Sequence, residues 1–494
     1  MTIRTGPLAG LACALFALTL GFQQPAAAAS ASGFGPEVKV GEPRNGYVGS
    51  LDIVPAHGKA GAPFTVVGTK LPPNQEFQLI WRTVNGRWKV TESQYKGREY
   101  LPAAYQIAKL KSDAAGRINA SFVTPEDFGF QHDVVLQQGD RLMTQAGYSV
   151  DMSVDISPKS GPLGTPITVT VKGIGWRTLY NSWDLMYDNN FTGWMSAVTT
   201  HGSATFTIPA TGQTGDHVIE VLHGDFTFPY LNPQQNPVPD RPRWTINFKI
   251  TPGAPVLPAP PEQQVQKIVR ALPSTGELVS MPHFSAVGDP IKVDGGGLEP
   301  GKTYTLNWTH VAGSRVSGQG WEESSNPVAQ AKADATGRVE FSFKTPDDLG
   351  GTHGLWLQAG AGKKTGTHLI KTTAYPLDVS RGPAGTKFTL HLKGVGWTET
   401  ANIMHIVYDN SYKGYACAFN SQGDIQIFMP ATGAPGWHFI DVYPGIYKGT
   451  ETEPNNFRIP QLTYAQDHPG EDLQAFHFAF EVTSAGAVKQ AQLR

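Results

Sequence analysis

The sequence predicts an all-β chain of four β-sandwich domains, arranged as one two-domain unit present twice. Three observations predict this. Glycine and proline number 55 and 38 in 494 residues, while charged residues are only 16%. Such a chain is rich in turns and poor in charged helical surface. Short segments alternate apolar and polar residues with period two, the mark of half-buried strands. Finally, the chain matches itself when shifted by 221 residues.

The elements follow in chain order. Residues 1–29 read as a secretory leader: Arg4 is a basic start, Leu8 to Leu20 an apolar stretch too short to span a bilayer, and Pro25 to Ala29 a small-residue cleavage site. A lipobox at Cys13 is a poor match, because Gly10 stands where leucine is usual. Cys417 is then the one mature cysteine, so no intrachain disulfide forms and stability rests on packed sheets. Losing Arg4 with the leader takes the formal charge from −2 to −3. That near-neutral balance argues against nucleic acid or anionic membranes as partners. No later stretch is long and apolar enough to span a membrane.

The repeat divides the rest into domain A1 (44–155), domain B1 (156–252), a Pro-rich linker (253–279), domain A2 (280–376) and domain B2 (377–484). Residues 161–224 align with 382–445 without a gap, and 25 of the 64 positions are identical. DAAGR at 113–117 matches DATGR at 334–338, and TPEDFG at 124–129 matches TPDDLG at 345–350. A finer repeat lies inside each copy. Four times a strand ends in a proline and a histidine opens the next strand: Pro125/His132, Pro209/His217, Pro346/His353 and Pro430/His438. Each domain starts with an alternating strand such as FTVVG at 64–68 or ITVTV at 167–171. In RVEFSF, Val339, Phe341 and Phe343 share one face and Arg338, Glu340 and Ser342 the other. Many short strands with frequent turn signals favour a sandwich over a parallel sheet. TPGAPVLPAPPEQQ at 251–264 reads as a semi-rigid spacer. QVQKIVRAL at 264–272 has the pattern of a short helix. LPSTG at 272–276 lacks the hydrophobic tail of a sortase signal.

ISPKSGPLGTPITVTVKGIGW at 156–176 resembles the opening strands of bacterial IPT/TIG-type immunoglobulin-like domains. VSRGPAGTKFTLHLKGVGW at 379–397 is similar, with Val379 in place of the opening Pro158. The resemblance covers about 20 residues of each B domain, and the A domains match more loosely. It implies immunoglobulin-like sandwiches with adhesion, ligand-binding or spacer roles, and it brings no catalytic residues. In such domains a tyrosine often opens the sixth strand and bonds nearby backbone. The four histidines stand in a similar place, which favours a structural part for them over metal binding. His217, Ile219 and Val221 share a face that recurs as His438, Ile440 and Val442, as a core face would.

The candidate site residues lie elsewhere. Both B domains carry Tyr-Asp-Asn-x-aromatic-x-Gly-aromatic: Tyr187, Asp188, Asn189, Phe191, Gly193 and Trp194 in one, Tyr408, Asp409, Asn410, Tyr412, Gly414 and Tyr415 in the other. The pattern suits a turn between two strands. It also suits a stacking platform, with Tyr187, Asp188, Trp194, Tyr408, Asp409 and Tyr415 facing a sugar ring or an apolar polymer. Two platforms on arms joined by a spacer would capture a ligand bivalently. Glu220 and Asp441 each sit between apolar residues on the outer strand face, where they read as exposed acids or as ligand-facing carboxylates.

No nucleophile elbow, zinc-protease helix, phosphate loop, dinucleotide fingerprint or calcium loop occurs. No cofactor or metal site is expected. Long Pro-rich insertions at 223–244 and 444–472 offer His223 and Asp225, but Pro444 replaces His223 in the second copy. The function expected is therefore that of an exported, periplasmic or secreted, non-catalytic binding or adhesion protein, its partner a polysaccharide, a polymer or an envelope protein. A scaffold role in an envelope assembly and a hydrolase with an unrecognised site are the alternatives.

Overall fold

In the computed structural model the described residues are 34–91, 93–225, 228–235, 243–264, 277–314, 320–448 and 458–484. The leader, LPSTG and all but the first residue of QVQKIVRAL lie outside them. Among the described residues no helix is long and apolar enough to cross a membrane. Among the described residues the strands form eight β-sheets, which pair off four times in one pattern.

The first pair shows the pattern. A three-stranded sheet orders Ser50–Val54, Pro63–Thr69 and Ile118–Val123. A five-stranded sheet orders His57–Lys59, Arg141–Asp151, Phe130–Gln138, Glu76–Thr91 and Gln94–Lys111. The opening strand is split: its first part pairs antiparallel in the small sheet, and its second part runs parallel to the last strand in the large one. The same crossover recurs at Ser160–Gly161, Phe284–Ser285 and Arg381–Pro383. This is the immunoglobulin-like sandwich.

Burial follows the alternation read from sequence. Val339 and Phe341 are buried while Arg338 and Glu340 face solvent. Each pair of sheets encloses one large core, built around Phe64, Val66 and Trp81, around Ile167, Val169 and Phe248, around Val293, Leu306 and Phe341, and around Leu390, Ile440 and Phe480.

A histidine anchors each sandwich. His132 and His353 stack on Trp81 and Trp308 at 4.7 and 4.6 Å. His217 and His438 stack on Tyr187 and Tyr408 at 5.6 and 5.7 Å. In every case Nε2 meets the carbonyl four residues upstream, at 2.7–2.9 Å: Phe128, Leu349, Gln213 or Ala434. This is the structural part the repetition suggested.

Within each copy the A and B sandwiches meet backbone to backbone. Gly129 N donates to Ile174 O at 3.1 Å, and Gly350 N donates to Val395 O at 3.0 Å. A Cβ on Gly129 would lie 2.0 Å from Gly173 O, and one on Gly350 would lie 1.9 Å from Gly394 O. Only glycine permits that approach. Lys172 pairs with Glu126 across the first junction and Lys393 with Asp347 across the second.

The two copies are not separate arms. The long A1 hairpin crosses B1, where Arg98 Nη1 donates to Asn181 O at 2.8 Å, and reaches B2, where Tyr95 N donates to Glu399 Oε2 at 2.9 Å. The Pro-rich segment expected to hold the copies apart lies along both B domains. Val256 N donates to Leu163 O at 2.8 Å, and the Gln264 amide bonds the backbone N and O of His477 at 2.8 and 2.6 Å. Proline stiffens this strap, and apolar neighbours hold it down.

Replacing Gly129 by alanine forces the junction backbones apart. The expected cost is roughly 1–3 kcal/mol, in the range of an overpacked core, read as a lower denaturation midpoint with earlier proteolysis between A1 and B1.

Candidate functional site

The Tyr-Asp-Asn pattern is a two-residue hairpin turn. Asp188 and Asn189 have φ of 47° and 63°, and Asp409 and Asn410 have 49° and 58°. Left-handed conformation at both central residues is the turn type that suits the twist of a hairpin. The aspartate also locks the sandwich. Asp188 Oδ1 accepts from Val218 N at 2.9 Å while Oδ2 meets His217 Nδ1 at 2.5 Å. Asp409 does the same with Phe439 N at 2.9 Å and His438 Nδ1 at 2.6 Å. The hydrogen bond that His438 Nδ1 donates to Asp409 raises the His438 pKa above its ordinary value, against the pull of burial. Tyr187 and Tyr408 are buried and donate their hydroxyls to Thr211 O and Thr432 O.

The stacking platforms therefore do not form. Trp194 is 1% exposed: its ring packs with Tyr95, Ile446 and Ile459, while Trp194 N donates to Pro460 O and Trp194 O accepts from Leu462 N, both at 2.9 Å. Phe191 meets Tyr412 edge-on at 6.3 Å across the two copies. Of the four outer rings, Phe191, Trp194, Tyr412 and Tyr415, only Tyr415 is open, at 46% exposure, with the Arg458 guanidinium 5.6 Å above it. Glu220 is 8% exposed, with Arg243 Nη2 at 2.6 Å. Asp441 is 2% exposed, with His477 Nδ1 at 2.7 Å. Burial works to lower the His477 pKa, but the hydrogen bond and charge of Asp441 prevail and raise it. Neither acid is an open, ligand-facing carboxylate. Tyr187, Asp188 and Asp409 do share one cleft of about 370 Å³ between the copies, but both carboxylates are already held as described. Asp441 lies apart, in a groove beneath the Pro-rich strap.

The open chemistry is at the A–B junctions. The first junction holds a cavity of about 510 Å³ walled by Phe130, Tyr180, Trp183 and Trp244, with Asp151 and Met152. Phe130 meets Tyr180 edge-on at 4.1 Å, and Trp183 meets Trp244 at 5.6 Å. Phe130 holds φ +85°, a strained region for a bulky residue and one that is found at ligand sites. The second junction holds a cavity of about 390 Å³ at the equivalent place, lined in part by Gly351, Thr352, Gly396, Trp397, Ala401 and Glu471. From Trp397 a run of half-buried rings leads outward, Trp321 at 6.0 Å and then Phe419 at 4.9 Å.

Sequence reasoning passed over these residues. The signal was present: TPEDFG and TPDDLG end on the junction glycines Gly129 and Gly350, and the very next position differs, phenylalanine against glycine. Among the described residues no group of three or more His, Cys, Asp or Glu could hold a metal ion. Ser285 Oγ and His368 Nε2 lie 2.7 Å apart, but both are buried in the A2 core, where His368 stands in the place of Tyr148 and Ser285 Oγ also meets Oγ1 of Thr345, the counterpart of Thr124. Burial pushes the His368 pKa down to about 4.

No family model matches the chain, and no curated protein matches it. Among solved structures it is similar to an ICAM-5 D1–D4 ectodomain fragment, with 10% identity, 88% of this chain and 99% of that one covered, and a TM-score of 0.19. It is similar also to invasin, a bacterial integrin-binding protein, with 9% identity, 87% and 78% coverage and a TM-score of 0.18. A third is the BSP domain of a biofilm-associated protein, with 9% identity, 91% and 98% coverage and a TM-score of 0.14. Scores this low transfer neither the domain arrangement nor the role of these proteins.

Two outcomes test this geometry. Trp194→Ala removes a buried ring and is expected to cost about 3–5 kcal/mol, with Tyr415→Ala far milder, both read in chemical denaturation. His405 is fully buried, and that burial lowers its pKa to about 3. An unfolded histidine protonates near 6.5. Between about pH 6.5 and 4 the unfolded chain therefore binds protons that folded His405 and His368 refuse, and stability falls as pH falls. His438 and His477, raised instead, oppose this trend equally in any His405 variant. His405→Gln is expected to lose less stability between pH 7.5 and 4.5 than the parent, measured by urea midpoints.

Proposed function

We propose that this chain is an exported, non-catalytic binding or adhesion protein whose ligand seats at the A–B junctions. The leader-like segment at 1–29 supports export. One observation carries the binding reading: a cavity of about 510 Å³ walled by four aromatic side chains, at a junction held rigid by glycine contacts. Cavities of this size, apolar with a few polar groups, are the usual form of a small-ligand site. Flat rings present apolar faces and polar edges to a sugar or an apolar polymer unit. The rigid setting lowers the entropy lost on binding. A glycan chain or an apolar envelope polymer is the ligand class that fits.

The test uses residues the second copy already tolerates. Phe130→Gly with Tyr180→Ala gives the first junction the Gly351 and Ala401 of the second. The mature protein is expected to be retained on insoluble cellulose, chitin or isolated cell walls. Retention on the matrix that binds should fall at least tenfold in the double variant, with the thermal midpoint nearly unchanged. Equal retention by parent and variant would overturn the reading.

A further inference from the structure

The two junction cavities occupy equivalent places but differ in chemistry. Gly351 and Ala401 stand where Phe130 and Tyr180 wall the first. A Cβ on Gly351 would meet nothing within 4 Å, so the space the rings vacate is open. Its lining joins one half-buried ring, Trp397, to a set of hydroxyls and the carboxylates of Glu471 and Asp472. Glu471 accepts from Thr398 Oγ1 at 2.6 Å and from Thr400 Oγ1 at 2.5 Å. A carboxylate has about four acceptor positions, so two remain for a ligand. Thr352 adds a further hydroxyl at the same cavity.

One wall comes from the other copy. Ser93, at the tip of the A1 hairpin, lines this cavity. Glu399 N donates to Ser93 O at 3.0 Å, and Glu399 Oε2 accepts from Tyr95 N at 2.9 Å. The cavity is therefore assembled from A1, A2 and B2 and is incomplete without the first copy.

We infer that this three-domain cavity is a binding site for a single neutral hexopyranose residue, an inference that rests on reading the junctions as ligand sites. A pyranose has an apolar C–H face and a rim of hydroxyls. Trp397 suits the face, and the free acceptor positions of Glu471 suit two adjacent hydroxyls through charge-assisted bonds. Lys371 lines the same cavity, and Asp472, which also lines it, is paired with His468 Nε2 at 3.0 Å. Both signs of charge are thus present, which favours a neutral ligand over an ammonium or a carboxylate. Ser93 closes one side, which favours a chain end or a side branch over the middle of a polymer. The volume, about 390 Å³, lies in the range of small-ligand cavities.

Isothermal titration calorimetry on the full mature chain tests this, with glucose, galactose, mannose, N-acetylglucosamine and glucosamine as probes. At least one neutral sugar is expected to bind. Its affinity should fall at least tenfold in Gly351→Phe with Ala401→Tyr, which copies the first junction. It should fall likewise in Glu471→Gln, a near-isosteric change that keeps the fold if the double variant does not. Undiminished binding in both variants overturns the inference, as does binding of glucosamine alone. If no neutral sugar binds while Phe130→Gly with Tyr180→Ala still loses polymer retention, this inference fails and the junction reading stands. If that retention is also unchanged, both fail.

Discussion

One buried carboxylate holds the arrangement of the copies. Asp467 is almost fully buried and accepts from four donors on two other domains. They are Val198 N and Thr199 N at 2.8 Å, Thr199 Oγ1 at 2.7 Å, and Trp88 Nε1 of the A1 hairpin at 3.2 Å. One of the donors, Val198 N, is a buried backbone amide that would otherwise lack a partner, a costly state. A buried charge is tolerated only when it is satisfied in this way. This contact ties the B2 insertion to B1 and to the A1 hairpin, whose tip at Ser93 lines the second junction cavity.

The fold was largely legible because its signals are local. Alternation in RVEFSF and FTVVG marks the strands, and each strand buries the face so marked. The four proline/histidine pairs mark the point where the fifth strand hands over to the sixth, and the histidine bonds back four residues because the turn between has nearly constant length. The Asp-Asn turns were legible for the same reason, since φ above zero at two successive residues selects those residue types.

The site was legible only in part, because exposure is not a local property. Trp194 and Tyr415 stand at equivalent positions, yet one is covered and the other open. The cover comes from Ile446 and Ile459, far along the chain in the B2 insertion, and from Tyr95 of the A1 hairpin, and nothing in the pattern around Trp194 encodes it. Glu220 and Asp441 share this history: each reads as exposed or ligand-facing, but Arg243 and His477, distant in sequence, pair with them and both acids are buried. What could have been read is contrast. Where two copies agree over a motif and then diverge sharply, as at Phe130 and Gly351, the agreement marks scaffold and the divergence marks a surface released from it.

That contrast extends to the way the copies meet. Asn410 inserts into the first copy, its Nδ2 donating to Pro209 O at 2.8 Å and to Thr211 Oγ1 at 3.0 Å, while Asn410 O accepts from Thr192 Oγ1 at 2.7 Å. Asn189, its counterpart, is exposed. The contact is thus heterologous: one surface of B1 meets a different surface of B2. Such contacts extend into open arrays unless something ends them. Here the B2 insertion caps the outer strand of B1 at Trp194, and the Pro-rich strap covers the outer face of B2 at Phe439 and His477. A duplicated unit is in this way converted into one asymmetric body. Asymmetry is what allows two junctions of common origin to present different walls, aromatic in the first and hydroxyl-lined in the second.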